Sequence, residues 1–506
     1  MLLAHLVAAS TVVTATRSRR EKIATLAACL RAMAPDEVAV GASYLAGRPR
    51  QERLDVGWRT LRALEAQHAD EAELELLQVH NTLEGVAAAR GSGSRSAKAQ
   101  LLTGLLRAAT HQEQQFLNGL ILGELRQGAL EGVVAQAIAQ AWGLPEGTVR
   151  RAWMLCGDLG TVAAAAAQGG AARLDGFSLT LFRPLQPMLA QTAASASDAV
   201  EDLGRAIVDF KLDGARIQVH RDGDQIRVFT RNLRDVTARS PEVVAVTAGL
   251  RVTGVVLDGE VMALRPDGTP QPFQDTMARF GSDVAVDGPA VALVPFFFDC
   301  LHADGVDLLD EPLERRREAL ARLVPDQHRV WGEVVAGADA AEAVYDAALR
   351  AGHEGIVVKD PASPYEAGRR GAAWRKVKPT HTLDLVVLAV EWGSGRRSGW
   401  LSNLHLGARD AGGGFVMLGK TFKGMTDAVL DWQTKRLLEL ETHREGHIVH
   451  VRPELVVEVA FDGIQTSTRY PGGVALRFAR VKAYRQDKSP AGADTIDTVR
   501  AIRGDT

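Results

Sequence analysis

The stretch Asp209-Phe210-Lys211-Leu212-Asp213-Gly214-Ala215-Arg216 decides how this chain is read. It runs from an apolar strand into a turn, where Gly214 lets the backbone approach a ligand closely. A lysine is a nucleophile only when its amine is neutral. The reference pKa of about 10.4 must then be offset by burial or by a nearby cation. A nucleotide-bound Mg²⁺ and clustered basic residues would do that. Alone, a four-residue pattern of this kind reads as a solvated lysine at a hairpin end. Its companions change the reading.

Downstream, Ala215–His220 and Gln225–Thr230 alternate apolar and polar residues around Arg221-Asp222-Gly223-Asp224, which predicts a hairpin. Phe229-Thr230-Arg231-Asn232 closes its second strand, and Leu257-Asp258-Gly259-Glu260 ends the next with a carboxylate. Phe297-Phe298-Asp299 closes an apolar strand, and Glu354-Gly355-Ile356-Val357-Val358-Lys359 opens another with a carboxylate. In Trp374-Arg375-Lys376-Val377-Lys378 the alternation sets Lys376 and Lys378 on one face. Two cations on one face of a buried strand are costly unless they meet an anion, and a triphosphate is the natural one. Glu260 and Glu354 are hard oxygen donors that suit Mg²⁺, although glutamates at strand ends are also common on surfaces. With a helix over Glu311–Leu323, residues 176–384 read as a mixed α/β domain.

From 385 to 506, short strands alternate with glycine-rich turns around one helix, Thr426–Glu441, which predicts a small barrel. Near its end stand Arg477-Phe478-Ala479-Arg480-Val481-Lys482 and Arg485-Gln486-Asp487-Lys488, a basic edge that could bind phosphates or be merely solvated. Residues 1–175 read as helical. Ile23, Leu26, Leu30 and Met33 recur at helical spacing before Pro35, and Gly91–Ser96 reads as a loop. An apolar-rich stretch runs from Phe116 to Trp142, and Ala163–Ala167 reads as helix.

The totals fit three domains: 506 residues, 46% apolar and 24% charged. The 59 basic residues nearly balance 62 acidic ones, so any nucleic-acid surface must be local. Cys29, Cys156 and Cys300 are far apart and odd in number, which excludes a disulfide framework or zinc knuckle and fits a reducing cytoplasm. The opening residues lack the basic start of a signal peptide and read as the first helix of a folded domain. No run of about 18 apolar residues predicts a membrane span.

Taken together, KLDG and the six motifs that follow it in order (FTRN, LDGE, FFFD, EGIVVK, WRKVK, RQDK) resemble those of the ATP-dependent DNA ligases. The likeness is to the three-domain, actinobacterial ligase B type, and Phe116–Ala141 is similar to that type's helical DNA-binding domain. The resemblance implies a helical DNA-binding domain, an adenylation core and a C-terminal OB-fold barrel, in a monomeric enzyme of the cytoplasm that takes ATP, Mg²⁺ (or Mn²⁺) and nicked double-stranded DNA. It makes Lys211 the residue that accepts AMP. Asp209 stands where the family usually has Glu facing the adenine amine, and Phe298 where an aromatic stacks on adenine. Arg216 and Arg231 would hold the nucleotide or the nick 5′-phosphate. Glu260 and Glu354 would bind metal, with Glu260 also near the ribose. Arg370 matches the arginine before the last core strand, and Lys376 and Lys378 the α-phosphate contacts. Arg480, Arg485, Asp487 and Lys488 form the C-terminal motif that orients pyrophosphate, a surface assigned to DNA as well. Arg126 and Gly128 are the expected loop contacts to DNA in the helical part.

Other readings compete. An NAD-dependent ligase normally carries a four-cysteine zinc module, which three scattered cysteines cannot build. An RNA ligase or capping guanylyltransferase shares the core but leaves the helical third unexplained. A catalytically silent DNA clamp would have lost the nucleophile or a carboxylate.

Overall fold

The structure is a computed structural model that describes residues 1–51, 54–64, 67–125, 131–281, 292–366, 370–394 and 397–503. Up to Asp175 the described chain is helical, from Leu3–Ala15 to Leu159–Asp175. Local signals set the helix ends. Thr110 and Glu113 form a reciprocal capping box at the start of His111–Leu122. The Asp158 carboxylate accepts the Gly160 and Thr161 N–H groups and starts the last helix, which kinks at Gly169-Gly170. Apolar faces meet in one core where Leu3, Leu6, Leu26, Leu30, Leu76 and Leu83 are fully buried. Each such leucine contributes about 1.5–3 kcal/mol. The expected loop at 91–96 is shorter in fact: Gly93, with φ of +84°, ends it and Ser94 already begins the helix Ser94–Arg107. Between Phe116 and Trp142 the described residues include the end of His111–Leu122 and the helix Glu131–Trp142.

The middle region carries β1 (Leu189–Thr192), β2 (Ala206–Lys211), β3 (Ala215–Asp222), β4 (Gln225–Thr230), β5 (Gly254–Ala263), β6 (Leu293–Ala303), β7 (Val306–Asp307), β8 (Gly332–Val335), β9 (Gly355–Lys359) and β10 (Arg370–Val377). They form two five-stranded sheets, ordered β1-β10-β9-β2-β8 and β4-β3-β5-β6-β7. The expected β3–β4 hairpin is present, turning at Gly223 with Asp222 opposite Gln225. One apolar layer, with Met188, Val256, Leu301, Tyr365 and Trp374, joins residues of both sheets. Ala338–Arg350 covers the first sheet, and Leu313–Leu323 with Pro241–Ala248 the second.

The last region holds β11 (His381–Trp392), β12 (Leu401–Arg409), β13 (Phe415–Thr421), β14 (Glu441–Glu445), β15 (Ile448–Val451), β16 (Val456–Phe461), β17 (Gly463–Thr466), β18 (Val474–Arg477) and β19 (Arg480–Tyr484). The long β11 pairs with β12, β15 and β16 and bends at two register shifts. The helix ends at Glu439, and the charged run after it is the β14–β15 hairpin. Ala475–Tyr484 is two strands, not one, broken where Phe478 takes a left-handed φ of 56°.

The three regions touch. Arg151 pairs with Asp310 at 2.5 Å, Arg17 with Asp427 at 3.6 Å, and Arg477 with Asp213 at 2.7 Å. No helix among the described residues is long and apolar enough to cross a membrane.

Candidate active site

Strand pairing brings the distant motifs together. Lys211 ends β2 and pairs with Gly355 at the start of β9, and the Glu354 N–H donates to the Lys211 carbonyl at 3.1 Å. The Glu354 carboxylate therefore lies beside the Lys211 ammonium and accepts a hydrogen bond from it. Val377 pairs with Ile356, so Lys378 emerges next to the same carboxylate, 3.3 Å away. From the other sheet, Glu260 Oε1 accepts the Gly214 N–H at 3.0 Å. Glycine is required at both turns. A Cβ on Gly214 would lie 2.4 Å from the Val261 carbonyl oxygen; Gly355 has φ of +139°, and a Cβ there would lie 2.1 Å from the Val377 oxygen.

Burial works against charge on Lys211, but the attraction of Glu354 and then Glu260 outweighs it, so its pKa is raised. The amine is held as ammonium, the reverse of what attack requires. Burial pushes the Glu260 carboxyl upward, with Lys211 opposing. Two carboxylates and no nitrogen or sulfur donor make a set suited to a hard divalent ion.

Nearby lies a packed aromatic cluster. The Phe298 ring meets Trp374 edge-on at 5.9 Å, with Lys359 Nζ 4.6 Å from the Phe298 centroid. Asp209, almost fully buried, pairs with Lys359 at 2.5 Å and accepts from Arg317 at 2.8 Å. Arg317 was not singled out in the sequence, and its charge bears directly on the residue expected to face adenine. Burial lowers the pKa of Lys359, with Asp209 opposing. Arg216 forms a two-pronged pair with Asp258, at 3.1 and 2.6 Å, and donates to the Met188 carbonyl. Tyr365 donates to the same Asp258 carboxylate at 2.7 Å. The Arg216 guanidinium lies 5.4 Å from the Phe298 centroid, so this network also braces the cluster.

The third region supplies Asp462, which the sequence did not single out, and gives Arg477 of the basic edge a specific partner. Asp462, just past β16, pairs with Lys378 and accepts from Arg480 at 3.2 Å. Arg477 clamps Asp213 through two hydrogen bonds, at 2.7 and 3.3 Å. Both lie in strand runs that had been recognised; what was missing was which strand end faces the core. Arg485 and Lys488 are not among the residues around Lys211. Both pair with Asp384, and Arg485 also pairs with Asp487. Arg231 is exposed in the turn after β4, and Lys376 is half-buried opposite Thr192. Arg370 opens β10 opposite Leu189, and Arg126 and Gly128 lie outside the described residues.

Sequence comparison decides the family. Three family models match in order: DNA ligase N terminus over residues 55–139, ATP dependent DNA ligase domain over 187–378, and ATP dependent DNA ligase C terminal region over 397–488. A probable DNA ligase of Anaeromyxobacter sp. (strain Fw109-5) is 57% identical, with 99% of this chain and 98% of that one covered. The chain belongs to the ATP-dependent DNA ligase family. A second relative, the probable DNA ligase of Saccharopolyspora erythraea, is 53% identical over 100% of this chain and 98% of its own. Among solved structures, Pmar-Lig_Pre superimposes with a TM-score of 0.63 at 18% identity, over 95% of this chain and 99% of that one, a likeness of fold. Pmar-Lig_PreS3 gives 0.62 at the same identity and coverage. Lys211, Glu260, Glu354 and Lys378 all lie within the matched ATP dependent DNA ligase domain.

Proposed function

We propose that this ligase seals nicks in duplex DNA through an AMP adduct on Lys211. ATP binds with adenine against Phe298, Asp209 facing its amine, and Lys376 and Lys378 at the α-phosphate. Lys211 Nζ bonds to that phosphorus as pyrophosphate leaves. The AMP then passes to the nick 5′-phosphate, and the 3′-hydroxyl attacks that activated phosphate while AMP departs. Each step moves a charged phosphoryl group, so positioning and charge neutralisation dominate. Glu260 and Glu354 would hold Mg²⁺, or Mn²⁺ in its place, which when bound neutralises phosphate charge. The same ion would weaken the carboxylates' grip on the Lys211 proton. The observation that carries the reading is the meeting of Lys211, Glu354 and Lys378, with Glu260 anchoring the adjacent glycine turn.

The remaining assignments follow from that scheme. Arg216 supports the nucleotide slot, while Arg231 and Arg370 meet phosphate. Residues 1–175 form the DNA-binding domain, with Arg126 and Gly128 at the duplex backbone; residues 176–384 form the adenylation domain, and 385–506 an OB-fold domain whose Arg480, Arg485 and Lys488 serve DNA or the ATP tail. The enzyme works as a monomer in the cytoplasm, around the nucleoid. Incubation with labelled ATP and Mg²⁺ should give a covalent AMP adduct that Lys211→Ala abolishes and that nicked duplex DNA discharges. Discharge by nicked RNA alone, or an adduct that survives Lys211→Ala, would overturn the proposal.

A further inference from the structure

The β14–β15 hairpin carries a second group of ligating side chains that nick sealing does not use. Alternation puts His443 and Glu445 on one face of β14, and the register sets His450 opposite His443. The two imidazoles lie face to face, 4.3 Å apart and 5° from parallel, and His450 Nε2 is 3.7 Å from Glu445 Oε2. One donor atom from each of the three lies within 4.8 Å of the others.

Two further facts point to a ligand. His450 Nε2 is shut off from solvent and has no hydrogen-bond partner, an unusual state for a buried ring nitrogen. Thr442 braces the other ring: its hydroxyl lies 3.1 Å from the His450 carbonyl oxygen and 3.2 Å from His443 Nδ1, tying the two histidines to one hairpin position. The neighbouring Glu391 is not part of the set, because Lys420, Asn403 and His405 already donate to it.

We infer that His443, Glu445 and His450 bind a divalent transition-metal ion of the Zn²⁺, Co²⁺ and Ni²⁺ class, apart from the oxygen-only site at Lys211. Two imidazoles and a carboxylate suit these ions, whereas Mg²⁺ demands oxygen donors. Bonds of about 2.0–2.2 Å set donors roughly 3.3 Å apart, so the exposed His443 and Glu445 close by about 1–1.5 Å, and the His443 ring turns out of its stack, because parallel rings cannot both aim their in-plane lone pairs at one ion. The ion would then clip the hairpin across its two strands.

The test titrates the full chain with Co²⁺, following ligand-field absorption, then displaces it with Zn²⁺ in the presence of excess Mg²⁺. One saturable equivalent is expected, with Mg²⁺ unable to compete. His443→Ala, His450→Ala and Glu445→Gln should each weaken binding by roughly tenfold or more, since loss of a supporting group alone costs that much. His111→Ala, which breaks the other paired imidazole contact with His68, should leave it unchanged. Far-UV circular dichroism and AMP-adduct formation check that the variants remain folded. Absence of saturable binding to the native chain, or folded hairpin variants that bind like it, would overturn the site.

Discussion

Lys211 is held charged by the carboxylate that the proposed chemistry needs beside it. Its raised pKa means that the amine must give up a proton before it attacks. At subsaturating ATP, adduct formation should therefore rise with pH, by up to about tenfold per unit between about pH 6 and pH 9. Quench-flow measurement of labelled adduct checks this; a flat profile would mean that proton loss is not part of the limiting step. Gly214→Ala tests the approach of the turn. The new Cβ would meet the Val261 carbonyl oxygen at 2.4 Å, backbone that cannot swing aside. Overpacking of this kind costs about 1–3 kcal/mol, and a shift of about 1 Å at the lysine costs on the order of 100-fold in rate. Urea unfolding and adduct yield should both report the loss. Lys211, Glu354 and Lys378 stand at strand ends in short motifs, so their meeting could be anticipated; Glu260, expected to end its strand, instead lies inside β5, which runs on to Ala263. Asp258 was quoted within such a motif, but its two-pronged pairing with Arg216 was not legible, since it depends on β3 and β5 lying side by side.

At the scale of elements, Glu391 ties three strands together. It sits on β11 and accepts from Asn403 and His405 of β12 and Lys420 of β13. Burial alone would raise its pKa, but those hydrogen bonds prevail and bring it down to about 2. The folded value lies below the unfolded one of about 4.3, so the stabilisation is present above that pH and is lost as pH falls toward about 2. Glu391→Gln should flatten that acid limb in thermal melts between about pH 5 and pH 2; an unchanged slope would place the acid sensitivity elsewhere. The strands of this region were readable from alternation, but two details were not. Glu441–Val451 is dense in charge and follows a helix, so its pairing is invisible without the partner strand. The break at Phe478 needs a left-handed residue where no glycine announces one.

For the whole molecule, composition marked three regions but not how they close on one another. Two charged contacts, Arg477 with Asp213 and Asp462 with Lys378, join the last region to the residues around Lys211. Arg477 and Asp213 stay partly exposed, and such pairs contribute on the order of 1 kcal/mol; in the more buried Asp462–Lys378 pair, desolvation offsets much of the attraction. Since about 1.4 kcal/mol shifts an equilibrium tenfold, two such contacts bias an open-to-closed balance without locking it. An enzyme that must admit ATP and then a duplex benefits from a weak latch. Arg477→Glu turns one attraction into repulsion against Asp213 and should expand the free protein, raising the radius of gyration in small-angle scattering. Pairing it with Asp213→Arg restores opposite charges across the gap and should return the compact form, even though Asp213 lies two residues from Lys211 and activity need not recover. Salt should act in the same direction as the single change, because partly exposed charges are screened over about 10 Å at 0.1 M ionic strength. If Arg477→Glu scatters like the native chain at low salt, this charge pair does not hold the last region against the core, and other contacts such as the Gln274 hydrogen bond to the Thr466 carbonyl must do so instead.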